Sequence, residues 1–141
     1  MYAEFAQKQD VFLDLLSLIP ESPNFGVQYD PSNAVVAGDD PVELLRQLAT
    51  RVVSMHASDR YLAPGVSLAD LKQNDGTLGY APGLMHGVTG QGLNDYDQIF
   101  AILAGVGYEG WISIEDGMNG MDEMKASIDF LKWMRAKYFH Q

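Results

Sequence analysis

Cysteine is absent from all 141 residues, so neither a disulfide framework nor a thiolate metal site is open to this chain. Any metal it holds must sit on oxygen and imidazole ligands, which favours a hard divalent ion over structural zinc. Basic side chains are scarce: nine Lys and Arg stand against nineteen Asp and Glu, for a formal net charge of -10. Such a surface repels polyphosphate backbones and anionic lipid, so no nucleic acid and no membrane is expected as a partner. The plain consequence of the charge is solubility. No apolar run approaches the length of a membrane span. The opening Met1-Tyr2-Ala3-Glu4-Phe5-Ala6-Gln7-Lys8 has no basic stretch leading into an apolar core, which makes a cytoplasmic protein the expectation. Internal repeats and low-complexity tracts are missing too. What the chain has in quantity is apolar side chains, 47% by the usual count, enough for the core of one domain.

Those apolar residues fall into an alternating order. From about Glu4 to Ile19, Val11, Phe12, Leu15, Leu16, Leu18 and Ile19 recur at three- and four-residue steps, the mark of an amphipathic helix ended by Pro20-Glu21-Ser22-Pro23. A strand over 25–30 puts Phe25, Val27 and Tyr29 on one face and Gly26, Gln28 and Asp30 on the other. Asp30-Pro31-Ser32-Asn33 follows as a turn, and Asp39-Asp40-Pro41 opens a helix striped by Val42, Leu45 and Leu48. A second strand over 52–56 ends at His56. From Tyr61 to Thr89 the chain is rich in Gly and Pro with one short helical candidate, Ser67 to Gln73, and a loop of that length reads as a lid over a site. Asn94 is placed to cap a helix carrying Tyr96, Ile99, Phe100, Leu103 and Val106, ended by Gly105 and Gly107. A third strand over 111–115 turns Ile112 and Ile114 outward and Ser113 and Glu115 inward. A last helix, Asp122 to Tyr138, is expected to bury Met124, Ile128, Leu131 and Met134.

Strands alternating with helices predict an α/β fold with a parallel sheet and right-handed crossovers. All three strands finish on a group able to bind a metal: Asp30, His56 and Glu115. In parallel α/β folds ligands bind outside the carboxyl ends of the strands, so the three groups converge on one mouth. A buried carboxylate there without a partner is costly, which argues against an idle Glu115. With every helix on one face, the other face of the sheet is left bare and is expected to be apolar.

The succession Asp30-Pro31-Ser32-Asn33, His56-Ala57-Ser58-Asp59, Gly90-Gln91-Gly92 and Gly107-Tyr108-Glu109-Gly110-Trp111-Ile112-Ser113-Ile114-Glu115 resembles the sugar phosphate isomerase/epimerase proteins of the xylose isomerase-like TIM barrel superfamily. It runs from about Tyr2 to Tyr138 and matches only the C-terminal half of such a protein. The resemblance implies that residues 1–141 form a single incomplete, partial (β/α)₈ TIM barrel whose strands are its sixth, seventh and eighth. It also implies a divalent ion, manganese, magnesium or cobalt with zinc also compatible, held by four side chains, three of them Asp30, His56 and Glu115. The fourth, a Glu ending the preceding strand, falls before this chain starts. In relatives that epimerise or isomerise sugars, that Glu and the counterpart of Glu115 act as paired acid and base.

The chemistry behind this expectation is general. Removing a proton from carbon next to a carbonyl develops charge on oxygen, which a bound cation stabilises while a nearby carboxylate takes the proton. Glu115 is the candidate catalytic base, with Asp30 and His56 as ligands. Asp59 is placed to orient substrate or a supporting group, and Arg60 to meet a hydroxyl or phosphate oxygen. His86 and Asn33 are further substrate candidates, while Gly90 and Gly92 are open to a phosphate or to simple turn geometry. Tyr61 and Tyr80 read as packing residues, and His140 carries no assignment. The expected function is therefore the C-terminal portion of a metal-dependent isomerase or epimerase acting on a small sugar or sugar phosphate. A dehydratase or lyase shares the same strand ends; the superfamily's DNA-repair endonucleases fit the charge poorly. A non-catalytic half-barrel, which self-associates or pairs with the missing N-terminal half, is the alternative from another class.

Overall fold

The computed structural model describes residues 8–71, 83–115 and 119–139. Three strands, β1 (Val27–Tyr29), β2 (Val52–Ala57) and β5 (Trp111–Ile114), form one parallel sheet in the order β1-β2-β5. Between them run helices α2 (Pro31–Val36), α3 (Pro41–Leu48) and α5 (Tyr96–Gly105), with α1 (Gln9–Ser17) before β1 and α6 (Met121–Tyr138) after β5. The α/β alternation read from the sequence is the alternation observed.

Period-two alternation decides which side of the sheet is covered. Val27, Tyr29, Met55 and Ala57 lie in the core together with Leu16 of α1, Val42, Leu45 and Leu48 of α3, Ile99, Phe100 and Leu103 of α5, and Met134 of α6. Leu45, Ile99, Phe100 and Leu103 have no exposed surface, and each such side chain contributes about 1.5–3 kcal/mol by leaving water. The alternate residues Gln28, Ser54, His56 and Ser113 take the opposite face, where register pairs Gln28 with Ser54 and His56 with Ser113. That face is polar toward the strand ends, at Gln28, His56 and Ser113. It has the apolar surface expected of a bare sheet only toward the strand starts, where the exposed Val53 faces Gly26 and the exposed Trp111 pairs with Ser54.

Five local expectations change. Asp30 to Asn33 is not an isolated turn, because Asp30 caps α2 and Pro31 occupies its first position. The 61–89 segment is not wholly irregular: β3 (Arg60–Leu62) pairs antiparallel with β4 (Leu84–His86), and α4 (Leu68–Leu71) lies between them. Residues 72–82 fall outside the described residues, and with them Gln73 and Tyr80. The cap of α5 is Asp95, whose carboxylate accepts from the Gln98 amide; Asn94 is buried one residue earlier. In α6 the inward stripe is Ser127, Phe130, Leu131 and Met134, while Ile128 is 37% exposed because it falls one position off that stripe. Likewise Val11 and Leu15 of α1 are exposed, leaving Phe12 and Leu16 to pack.

Candidate metal centre

Asp30 stands where β1 passes into α2. Its extended backbone and the proline after it make a helix start, and its Oδ1 accepts the amides of Ser32 at 2.9 Å and Asn33 at 3.3 Å. The same oxygen accepts the Ser58 hydroxyl at 2.7 Å. The other oxygen, Oδ2, faces His56 Nδ1 at 3.8 Å. The same nitrogen meets Glu115 Oε2, brought there by β5 pairing in register with β2. One ligand atom from each of Asp30, His56 and Glu115 lies within 4.8 Å of the others.

Solvent access divides the three. Asp30 is 8% exposed, His56 25% and Glu115 59%, so the cluster opens toward Glu115. The expected burial of Glu115 is not found, and its place in the site rests on the contact with His56. Burial pushes the Asp30 carboxyl above its usual range and the Glu115 charge adds to this, while Ser58 and the two amides pull it back.

A donor set of two carboxylates and one imidazole suits a divalent ion bound about 2.0–2.2 Å from each donor, and the Asp30–His56 separation admits such an ion between them. The ring's other nitrogen is also engaged, 2.6 Å from Gln28 Nε2. With the Gln28 amide donating to Nε2, Nδ1 carries the proton that goes to Glu115. A ligand bound through Nδ1 reverses the assignment, and Gln28 then offers its oxygen to the Nε2 proton.

The remaining candidates separate by burial. Asp59 is fully buried: Oδ1 accepts the amides of Arg60 at 3.0 Å and Asn94 at 3.2 Å, and Oδ2 those of Gly90 at 2.8 Å and Gly92 at 3.0 Å. These bonds fix the Asp59 carboxylate among the amides of Arg60, Gly90, Gly92 and Asn94. The Gly90 and Gly92 amides are thereby occupied, which removes the phosphate reading of that stretch. A Cβ on Gly92 would lie 2.5 Å from Asp59 Oδ1, so close approach requires the glycine.

Arg60 is 5% exposed and donates from Nη1 to the Asp59 carbonyl. It pairs across β3 and β4 with His86. Burial, then the Arg60 charge, hold the His86 imidazole below its usual range, while Asp30 and Glu115 draw it back up, so all four groups share one field. Asn33 is half-buried in the first turn of α2. Tyr61 donates to the Val88 carbonyl at 2.7 Å, and His140 lies outside the described residues. Sequence reasoning missed Ser58 and Gln28. Gln28 was legible as the residue two before Asp30 on the same face of β1; nothing local marks Ser58.

The pattern of the family described as Xylose isomerase-like TIM barrel matches residues 1–136. The chain belongs to that family. An inosose dehydratase of Clostridium botulinum (strain Eklund 17B / Type B) is 30% identical over 106 residues, covering 73% of this chain and 34% of that protein. A xylose isomerase domain protein from Planctomyces limnophilus superposes with a TM-score of 0.73 at 23% identity, over 93% of this chain and 44% of the other. A D-tagatose 3-epimerase-like protein gives 0.65 at 21%, over 94% and 42%. At these identities the structural likeness is one of fold. The chain spans about a third of the length of the curated relatives it matches, and its three-stranded sheet is part of a TIM barrel. Members of the family are enzymes, among them isomerases, epimerases and dehydratases.

Proposed function

We propose that this chain supplies three ligands of a divalent-metal centre that moves a proton next to a carbonyl in a sugar or sugar phosphate, as part of an isomerase or epimerase. The observation that carries this is the convergence of Asp30, His56 and Glu115 from three adjacent strand ends. A bound ion would neutralise charge developing on the carbonyl oxygen. Asp30 and His56 would hold it from the enclosed side. Glu115, on the open side, is the base that takes the proton and returns it. Arg60 and His86 border the same mouth and are proposed to meet substrate oxygens, with Asn33 beside them. Manganese, magnesium and cobalt suit the donors, and zinc is compatible. The fourth ligand and second base that the resemblance implies is not among these residues, so the chain alone is proposed to bind metal weakly and turn over slowly. Pairing with complementary β/α units, which the open edges of β1 and β5 admit, would complete the site.

A second reading, dehydration, is favoured by the inosose dehydratase relatives. Its first step is the same proton removal; a neighbouring hydroxyl then leaves instead of the proton returning. Metal content after purification, compared with His56→Ala and Glu115→Gln, tests the centre: His56→Ala retaining full metal overturns it. Product analysis in deuterated water with ketose and inosose substrates tests the reaction. Deuterium at the reacting carbon marks isomerase or epimerase action, and loss of a hydroxyl marks dehydration.

A further inference from the structure

Of the groups around the metal centre, the one that the fold holds most firmly is not a ligand. Ser58 has no exposed surface. Its carbonyl accepts both the Asn94 side-chain amide at 3.0 Å and the Tyr96 hydroxyl at 2.7 Å. The same Asn94 amide also donates to Ser32 Oγ at 3.1 Å, so one side chain braces residues on both sides of Asp30 Oδ1. The next residue, Asp59, is fixed by four backbone amides. Ser58 Oγ therefore occupies a set position, and it is directed at Asp30 Oδ1.

We infer that Ser58 is a positioning residue for Asp30: with the Ser32 and Asn33 amides it saturates Oδ1, leaving Oδ2 as the oxygen that coordinates the ion. The inference rests on the metal-centre reading above. A free carboxylate offers two equivalent oxygens and can bind through either or both. Here the two are made different. Turning the carboxyl group to exchange them would break the Ser58 bond and both capping bonds at once. With Oδ1 held, Oδ2 stays on the side where His56 Nδ1 lies 3.8 Å away. A one-oxygen ligand at a fixed place suits small ions that demand strict geometry better than a large ion with adaptable coordination.

The test uses the full chain with Mn²⁺ and Co²⁺ as probes. Ser58→Ala is expected to weaken Mn²⁺ binding in calorimetric titration by about tenfold or more. At saturating Co²⁺ its visible absorption bands are expected to shift, because the Asp30 oxygen then binds differently. A role confined to folding would weaken binding yet leave the saturated spectrum unchanged, and that result overturns the inference. So does Mn²⁺ affinity within twofold of the unaltered chain. Ser58→Cys, close in shape with a weak donor, guards against a variant that fails to fold; it is expected to fall between the two, and an unchanged affinity overturns the inference equally. Absence of any Mn²⁺ binding by the unaltered chain overturns the metal-centre reading itself, and this inference with it.

Discussion

Asp30-Pro31 and Asp40-Pro41 are the same local device used twice. Each Asp has extended backbone, each is followed by a proline at the first helical position, and each offers Oδ1 to the amides two and three residues on. The distances match closely: 2.9 and 3.3 Å at Asp30, 2.9 and 3.2 Å at Asp40. Asp40 nevertheless ends in an exposed cap, whereas Asp30 is enclosed, bonded by Ser58 and faced by His56. Local sequence writes the cap; the neighbouring strand writes the site. What β2 brings alongside is therefore the variable on which the difference depends.

Removing what β2 brings has the largest expected effect. His56→Ala leaves the Asp30 cap intact and is expected to lower Mn²⁺ affinity by at least about a hundredfold, because a ligand counts for more than the outer partners that tune it. Titration calorimetry measures this, with the metal-free melting temperature as the control. An affinity that hardly moves would reduce Asp30 to a second Asp40.

Asp59 is the opposite case, a buried acid that accepts four backbone amides. In Asp59→Asn one oxygen becomes a donor, and two buried amides then face it without an acceptor, for an expected loss of about 2–3 kcal/mol in urea unfolding. Burial raises the Asp59 carboxyl above its unfolded value of about 3.9. A raised folded value favours the folded state below the unfolded value, and that contribution is lost as pH rises through the folded one. The stability gap between the unaltered chain and Asp59→Asn should therefore be wider at pH 3 than at pH 7. A gap that widens with rising pH would mean that the four amides outweigh burial.

These contrasts mark how much the sequence could reveal. Period-two alternation in β1 and β2, helical stripes in α3 and α5, and the acids and imidazole at three strand ends were legible, because each depends on neighbours within a few residues. The pairing of β3 with β4 was not, since it joins Arg60 to His86 across the 61–89 segment. Nor was the fate of Asp59. Its four partners include amides more than thirty residues away, and the residue three after His56 looks alike whether it faces substrate or backbone. Ile128 was misplaced for a smaller reason: a helical stripe shifts its buried edge by one position when the packing partner is unknown.

Gln28 offers a gentler perturbation of the same cluster. It touches the ring nitrogen of His56 that faces away from Glu115, and its partner role would fix the tautomer in which Nδ1 is free for an ion. Gln28→Met keeps the length of the side chain and removes both amide atoms. Mn²⁺ affinity is expected to fall about tenfold in titration calorimetry, within the range for outer partners of a histidine ligand. Gln28→Glu, which retains an acceptor, should recover most of it. Equal losses in both variants would show that packing, not the hydrogen bond, orients the ring.

The smallest expected effect comes from the other half of the comparison. Asp40→Ala removes both Oδ1 bonds at the start of α3 and should cost about 1 kcal/mol, the usual value for a lost cap. The helix itself should persist, since Val42, Leu45 and Leu48 anchor it in the core and Tyr29 still donates to the Pro41 carbonyl at 2.8 Å. Mn²⁺ affinity should stay unchanged, because Asp40 stabilises one helix and touches none of Asp30, His56 and Glu115. A melting temperature that drops together with metal affinity would mean that α3 transmits its disorder through Tyr29 into β1 and so to Asp30. Stability falling alone would keep the two Asp-Pro starts separate in function while alike in geometry.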